Sequence, residues 1–117
     1  MNPPGSRGKL VRDRIPEIIS ANGGNPRAEI LSSDAYTSSL DEKLIEEVQE
    51  LLDADVAHRL EELADVLEVM HALAENHGFG WEAVEVVRRE KAEQRGGFGG
   101  RVFLLEGGAD ASDAEPE

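Results

Sequence analysis

Apolar residues three and four apart along three long segments, glycines closing two of those segments, and only two short candidate strands predict an all-α chain. The expected architecture is a helical bundle completed by oligomerisation. A short two-stranded β element pairing 27–31 with 101–105 is the one candidate departure from helix.

Residues 1–8 form a Pro/Gly/Ser-rich leader, expected to be flexible. From Asp13 the pattern turns helical: Asp13 can cap, and Pro16 falls in the first turn, where a missing N–H costs nothing. Ile15, Ile18 and Ile19 share a face, and Asn22-Gly23-Gly24 stops the helix. Ala28 and Ile30 alternate weakly within 27–31. Ser32-Ser33-Asp34 then offers a cap for a helix from about 34 to 53, on which Leu40, Leu44, Val48 and Leu51 make one stripe. Val56 to Asn76 reads as the next helix, ended by Gly78, and Trp81 to Gln94 as another, ended by Gly96-Gly97. Arg101 to Leu105 is the second candidate strand. A single domain is expected over 9–105, followed by a disordered acidic tail over 106–117, which carries no large apolar side chain.

On the Val56–Asn76 helix, Leu60, Leu63, Val66, Leu67, Val69, Met70 and Leu73 cover about half the circumference, more than the ~100° stripe of an ordinary surface helix. So wide a face in a chain with so few aromatics asks for burial on more than one side. A homodimer or homotetramer supplies it.

Charge narrows the function classes. The chain of 117 residues has a net charge of −13, and the charge is segregated. Residues 1–28 carry +3 (five basic, two acidic), 29–77 carry −12 (two basic, fourteen acidic), 78–105 carry +1 (five basic, four acidic) and 106–117 carry −5. A pI near 4.5 repels phosphate backbones, so no nucleic-acid partner is expected. No run approaches the ~20 apolar residues of a membrane span, so no membrane partner is expected either. No secretory h-region opens the sequence and no cysteine occurs in it, so a cytoplasmic location is expected.

Within the acidic middle, Glu47 and Glu50 on one helix and Glu62 and Asp65 on the next are i,i+3 pairs. Side chains at that spacing share a face, about 5–6 Å apart at Cβ. Glu62 lies on the wheel among Val66, Val69 and Leu73, so it points into apolar surroundings. A carboxylate there must be paired, protonated or bound to a metal. An ion pair with Arg59 or Lys43 is the structural alternative. If the two helices fold back at Ala54-Asp55, four carboxylates converge, and their mutual repulsion calls for a divalent cation. An all-oxygen ligand set favours Mg²⁺, with Mn²⁺ as substitute.

Glu46-Glu47-Val-Gln-Glu50, followed after eleven residues by Glu62-Leu-Ala-Asp65, resembles the E-E-x-x-E … E-x-x-D pattern of the MazG-like all-α nucleoside triphosphate pyrophosphohydrolases. Lys9-Leu-Val-Arg-Asp-Arg-Ile-Pro-Glu-Ile-Ile19 and Lys91-Ala-Glu-Gln-Arg-Gly-Gly-Phe98 are similar to the terminal signatures of their small, stand-alone, phosphoribosyl-ATP pyrophosphohydrolase-like branch. Position 88 is Arg where some relatives carry Asn. The resemblance implies Mg²⁺ on Glu47, Glu50, Glu62 and Asp65, dimers or tetramers, and hydrolysis of a nucleoside triphosphate to monophosphate and pyrophosphate.

A triphosphate brings about four negative charges into a −12 segment, so bridging metal is required, and it would also polarise the α-phosphoryl group. Glu46 and Glu50 are the alternatives for the general base, and spacing does not choose between them. Lys91, Arg95, Arg12, Arg14 and Lys43 are the candidate phosphate contacts. House-cleaning of non-standard or surplus nucleotides is the expected role. Phosphoribosyl-ATP pyrophosphatase of histidine biosynthesis is the alternative within the same chemistry, and a non-catalytic acidic interaction module the alternative outside it. His58, His71 and His77 show no ligand spacing and read as surface or helix-end residues, and Trp81 as core or interface.

Overall fold

The computed structural model describes residues 8–107. The expected flexible leader and disordered tail lie outside these residues, except for Gly8, Glu106 and Gly107. Four helices are present: α1 Ile15–Ala21, α2 Ser33–Asp53, α3 Val56–Asn76 and α4 Trp81–Arg95. Two compact units are distinguished, Met1–Val84 and Glu85–Glu117, so α4 begins in the first and ends in the second.

Local chemistry sets the ends of the long helices. Ser32 stands in extended conformation and its hydroxyl accepts from the Ala35 amide at 3.2 Å, satisfying one orphan donor of α2. Asp55 does the same for α3, accepting from the His58 amide at 3.2 Å. Gly78 and Gly96 follow α3 and α4 at φ of 86° and 83°, a region that costs glycine nothing. α1 starts one residue later than expected: Arg14, not Asp13, is its N-cap, and no side chain caps it.

In the first unit α2 packs against α3. The joint at Ala54 and Asp55 reverses the chain, and Asn76 at the end of α3 donates to the Thr37 hydroxyl near the start of α2 at 2.9 Å, so the pair is antiparallel. The buried apolar set is small: Leu40, Val69 and Ala74. Much of the broad apolar face of α3 is exposed, with Leu63 at 53% and Leu67 at 46%.

The expected β element is not found, since no strand occurs among the described residues. Residues 27–31 hold Ile30 98% exposed, because an alternation of two apolar residues buries nothing without a ladder partner. Residues 101–105 begin with Arg101 at φ 58°, in a turn closed by its amide on the Phe98 carbonyl at 3.1 Å. That left-handed conformation interrupts an extended segment at its first residue. In the second unit Phe98, Val102, Phe103 and Leu105 are exposed.

Candidate metal centre

The antiparallel turn from α2 into α3 brings the two carboxylate pairs together. One carboxylate oxygen from each of Glu47, Glu62 and Asp65 lies within 4.8 Å of the others, and Glu46, Glu47 and Glu50 form a second such group. Glu47 belongs to both. It is 7% exposed, deeper than its place at the border of the Leu40 stripe suggests, whereas Glu50 is exposed.

Oε1 of Glu47 and Oε1 of Glu62 are buried and accept no hydrogen bond. Two carboxylate oxygens removed from water with no donor are expensive, and native structures leave few such groups without a role. The Glu62 carboxyl is held above its ordinary range, first by desolvation and then by the negative charges of Asp65, Glu50 and Glu47. Neither cation named as its alternative partner reaches it. Arg59 donates to the carbonyls of Ala54 and Leu52 at 3.3 and 3.2 Å, and Lys43 pairs with Glu47 at 3.0 Å and Glu46 at 3.5 Å. Partial burial of Lys43 works against its charge, but the bond to Glu47 and the field of Glu46 outweigh it and raise its affinity for the proton.

A second cation comes from the segment ahead of α1. Arg12 Nη2 is 2.7 Å from Asp65 Oδ1, with both side chains partly exposed. Residues 9–15 line a groove of about 760 Å³ together with Tyr36, Lys43, Glu47, Asp65 and His71. The donor set fits a hard divalent cation: carboxylate oxygens from two helices, two of them buried and unused, with no thiol or imidazole among them.

Of the residues singled out in the sequence, Glu46, Glu47, Glu50, Glu62, Asp65, Lys43 and Arg12 come together here. Arg14 does not join them, because it turns to Glu17 one helical turn on, at 3.1 Å, and both side chains are largely exposed. Lys91 and Arg95 stand four apart on α4 within the second unit. His71 lies beside the site and not on bare surface: it is half-buried, and its ring stacks on Trp81 at 3.7 Å between centroids. Its spacing to other histidines carried no hint of this, because the stack depends on the turn at Gly78 that brings Trp81 back over α3. His58 touches its own cap, Asp55, at 2.7 Å, and His77 faces Phe79.

No family model matches the chain, and no solved structure matches it. The chain is similar to a protein of Mycolicibacterium smegmatis described as uncharacterized, with 57% identity over 47 residues, which are 40% of this chain and 48% of the relative. The chain thus aligns with about half the length of the curated relative it matches.

Proposed function

We propose that the chain is a Mg²⁺-dependent nucleoside triphosphate pyrophosphohydrolase of the MazG-like kind, acting on non-standard or surplus nucleotides in the cytoplasm. The observation that carries this reading is the pair of buried, unpartnered oxygens on Glu47 and Glu62, facing one volume from two helices. The motif order read from the sequence supports it independently.

Glu47, Glu62 and Asp65 would hold the cation, with Glu50 completing the set from its exposed edge. When bound, Mg²⁺ supplies charge neutralisation, polarisation of the α-phosphoryl group and a more acidic water. Glu46 and Glu50, on either side of Glu47 in the helix sequence, are the candidates to take the proton from the attacking water. Arg12 is a proposed phosphate contact of this site. Lys43, bonded to two carboxylates, serves first to hold Glu46 and Glu47 in place. The exposed apolar flank of α2 and α3 is proposed to be covered by a second copy, completing the bundle as a homodimer or homotetramer.

One observation favours a second reading. Lys43 on Glu47 and Arg12 on Asp65 are the ion pairs that a non-catalytic acidic module would keep. That module leaves Glu62 without a partner, and the enzyme reading does not. A pyrophosphate-release assay over a panel of nucleoside triphosphates and phosphoribosyl-ATP, with Mg²⁺ and with chelator, tests the proposal. Equal monophosphate and pyrophosphate, lost in chelator, are expected. Diphosphate with orthophosphate as the main products, or no turnover of any substrate, would refute it.

A further inference from the structure

We propose that Arg12 is a resident counter-cation of the carboxylate site that exchanges with a divalent ion, so that metal loading releases residues 8–14 from the α2–α3 pair. The inference rests on the metal-site reading of Glu47, Glu62 and Asp65.

Its basis is the place of one guanidinium. Arg12 Nη2 sits 2.7 Å from Asp65 Oδ1, a charge-assisted bond between residues 53 apart in the chain. Asp65 is also one of three residues whose ligand atoms lie within 4.8 Å of one another. A guanidinium only donates, so an oxygen that accepts from it has less to give a metal, and a unit charge this close repels a doubly charged ion. Metal and Arg12 therefore compete for Asp65.

The other cation at the site is differently placed. Lys43 is carried by α2, its side chain is 18% exposed, and two carboxylates hold it, so it is the more firmly placed of the two cations. Arg12 belongs to a non-helical segment, its side chain is 57% exposed, and among the described residues the backbone bond at its position runs from the Ile15 amide to its carbonyl at 3.1 Å. Arg12 is thus the cation that yields. Once displaced, its guanidinium is free to meet the oxygens of an anionic phosphate ligand. Coupling of this kind is reciprocal, so whatever detaches the segment strengthens metal binding.

Titration of the full chain with Mn²⁺, followed by the paramagnetic resonance of the free ion, tests this in wild type, Arg12→Gln and Arg12→Lys, alongside backbone ¹H–¹⁵N nuclear Overhauser effects over residues 9–14 with and without Mg²⁺. Arg12→Gln should bind Mn²⁺ about two- to fivefold more tightly, the range expected for removing one partly exposed ion pair, with Arg12→Lys between the two. In wild type, Mg²⁺ should lower the Overhauser effects over 9–14, and in Arg12→Gln they should already be low without it. Equal or weaker affinity in a folded Arg12→Gln protein, or backbone order over 9–14 indifferent to Mg²⁺, overturns the proposal while leaving the metal site intact. A wild type that binds no Mn²⁺ overturns both.

Discussion

On one flank of the α2–α3 pair, residues 9–15 share a groove with Lys43, Glu47 and Asp65; on the other, Ile45, Val48 and Leu52 from α2 and Leu63, Leu67 and Met70 from α3 meet solvent. Both flanks are written on the same two helices by the same 3.6-residue period. On the first, the chain supplies counter-charges to its own acidic residues, Arg12 to Asp65 and Lys43 to Glu47. On the second it leaves apolar side chains uncovered. On the proposed function the two halves of the amphipathic pattern have separate consequences, metal chemistry on one side and association on the other, and each can be altered without the other.

The largest expected effect falls on the charged flank. Glu47→Gln should reduce pyrophosphate release by about two orders of magnitude or more, because Glu47 belongs to both carboxylate groups, and steady-state kinetics with saturating Mg²⁺ measure it. The oligomeric state should not change, and dissociation in that variant would show that the flanks are not separable. On the apolar flank, Leu63→Glu combined with Leu67→Glu should weaken self-association at least about tenfold in sedimentation velocity, since association would bury unpaired charge. A monodisperse wild-type monomer at micromolar concentration would remove the interface proposal.

The pH dependence is smaller and has a definite sign. The Glu62 carboxyl is raised in the folded chain, so the folded state holds its proton more tightly than the unfolded state does. In chelator, stability arising from Glu62 is therefore greatest below its ordinary value of 4.5 and falls as pH rises through the elevated folded value. Glu62→Gln keeps the volume and cannot ionise. The melting temperature of Glu62→Gln minus that of wild type should grow from pH 4 to pH 7 in chelator, and a difference that shrinks over that interval would contradict the assignment. The smallest effect belongs to Arg14→Gln. Its pair with Glu17 is exposed, so the change should cost no more than about 0.5 kcal/mol and leave Mn²⁺ affinity unaltered, in contrast to Arg12→Gln.

Elements closed by local chemistry were legible from the chain alone. Ser32, Asp55, Gly78 and Gly96 bound α2, α3 and α4 through groups within three residues of each end, and a cap needs no tertiary partner to act. The convergence of Glu47, Glu62 and Asp65 was legible for a related reason, because a two-residue joint between helices of equal length leaves the carboxylates nowhere else to go. What failed was non-local. A strand at 27–31 depended on a ladder partner that no periodicity guarantees. The choice of Asp65 by Arg12 and of Glu17 by Arg14 depended on the path of an irregular segment, and two arginines two residues apart in the sequence look alike until that path is known. The exposed leucines of α3 agree with the breadth of its apolar face, and association remains the proposal that accounts for them.

On the proposed function, Glu62 is kept in its apolar wall to hold a metal. Thermal melts of wild type and Glu62→Gln, each in chelator and in Mg²⁺, test it most directly. In chelator the wild-type carboxylate is an uncompensated charge among Asp65, Glu50 and Glu47, so the variant should melt at the same temperature or higher. Mg²⁺ should raise the melting temperature of wild type by binding its folded state, and should leave the variant nearly unmoved. A variant clearly destabilised in chelator, with Mg²⁺ shifting neither protein, would contradict the account.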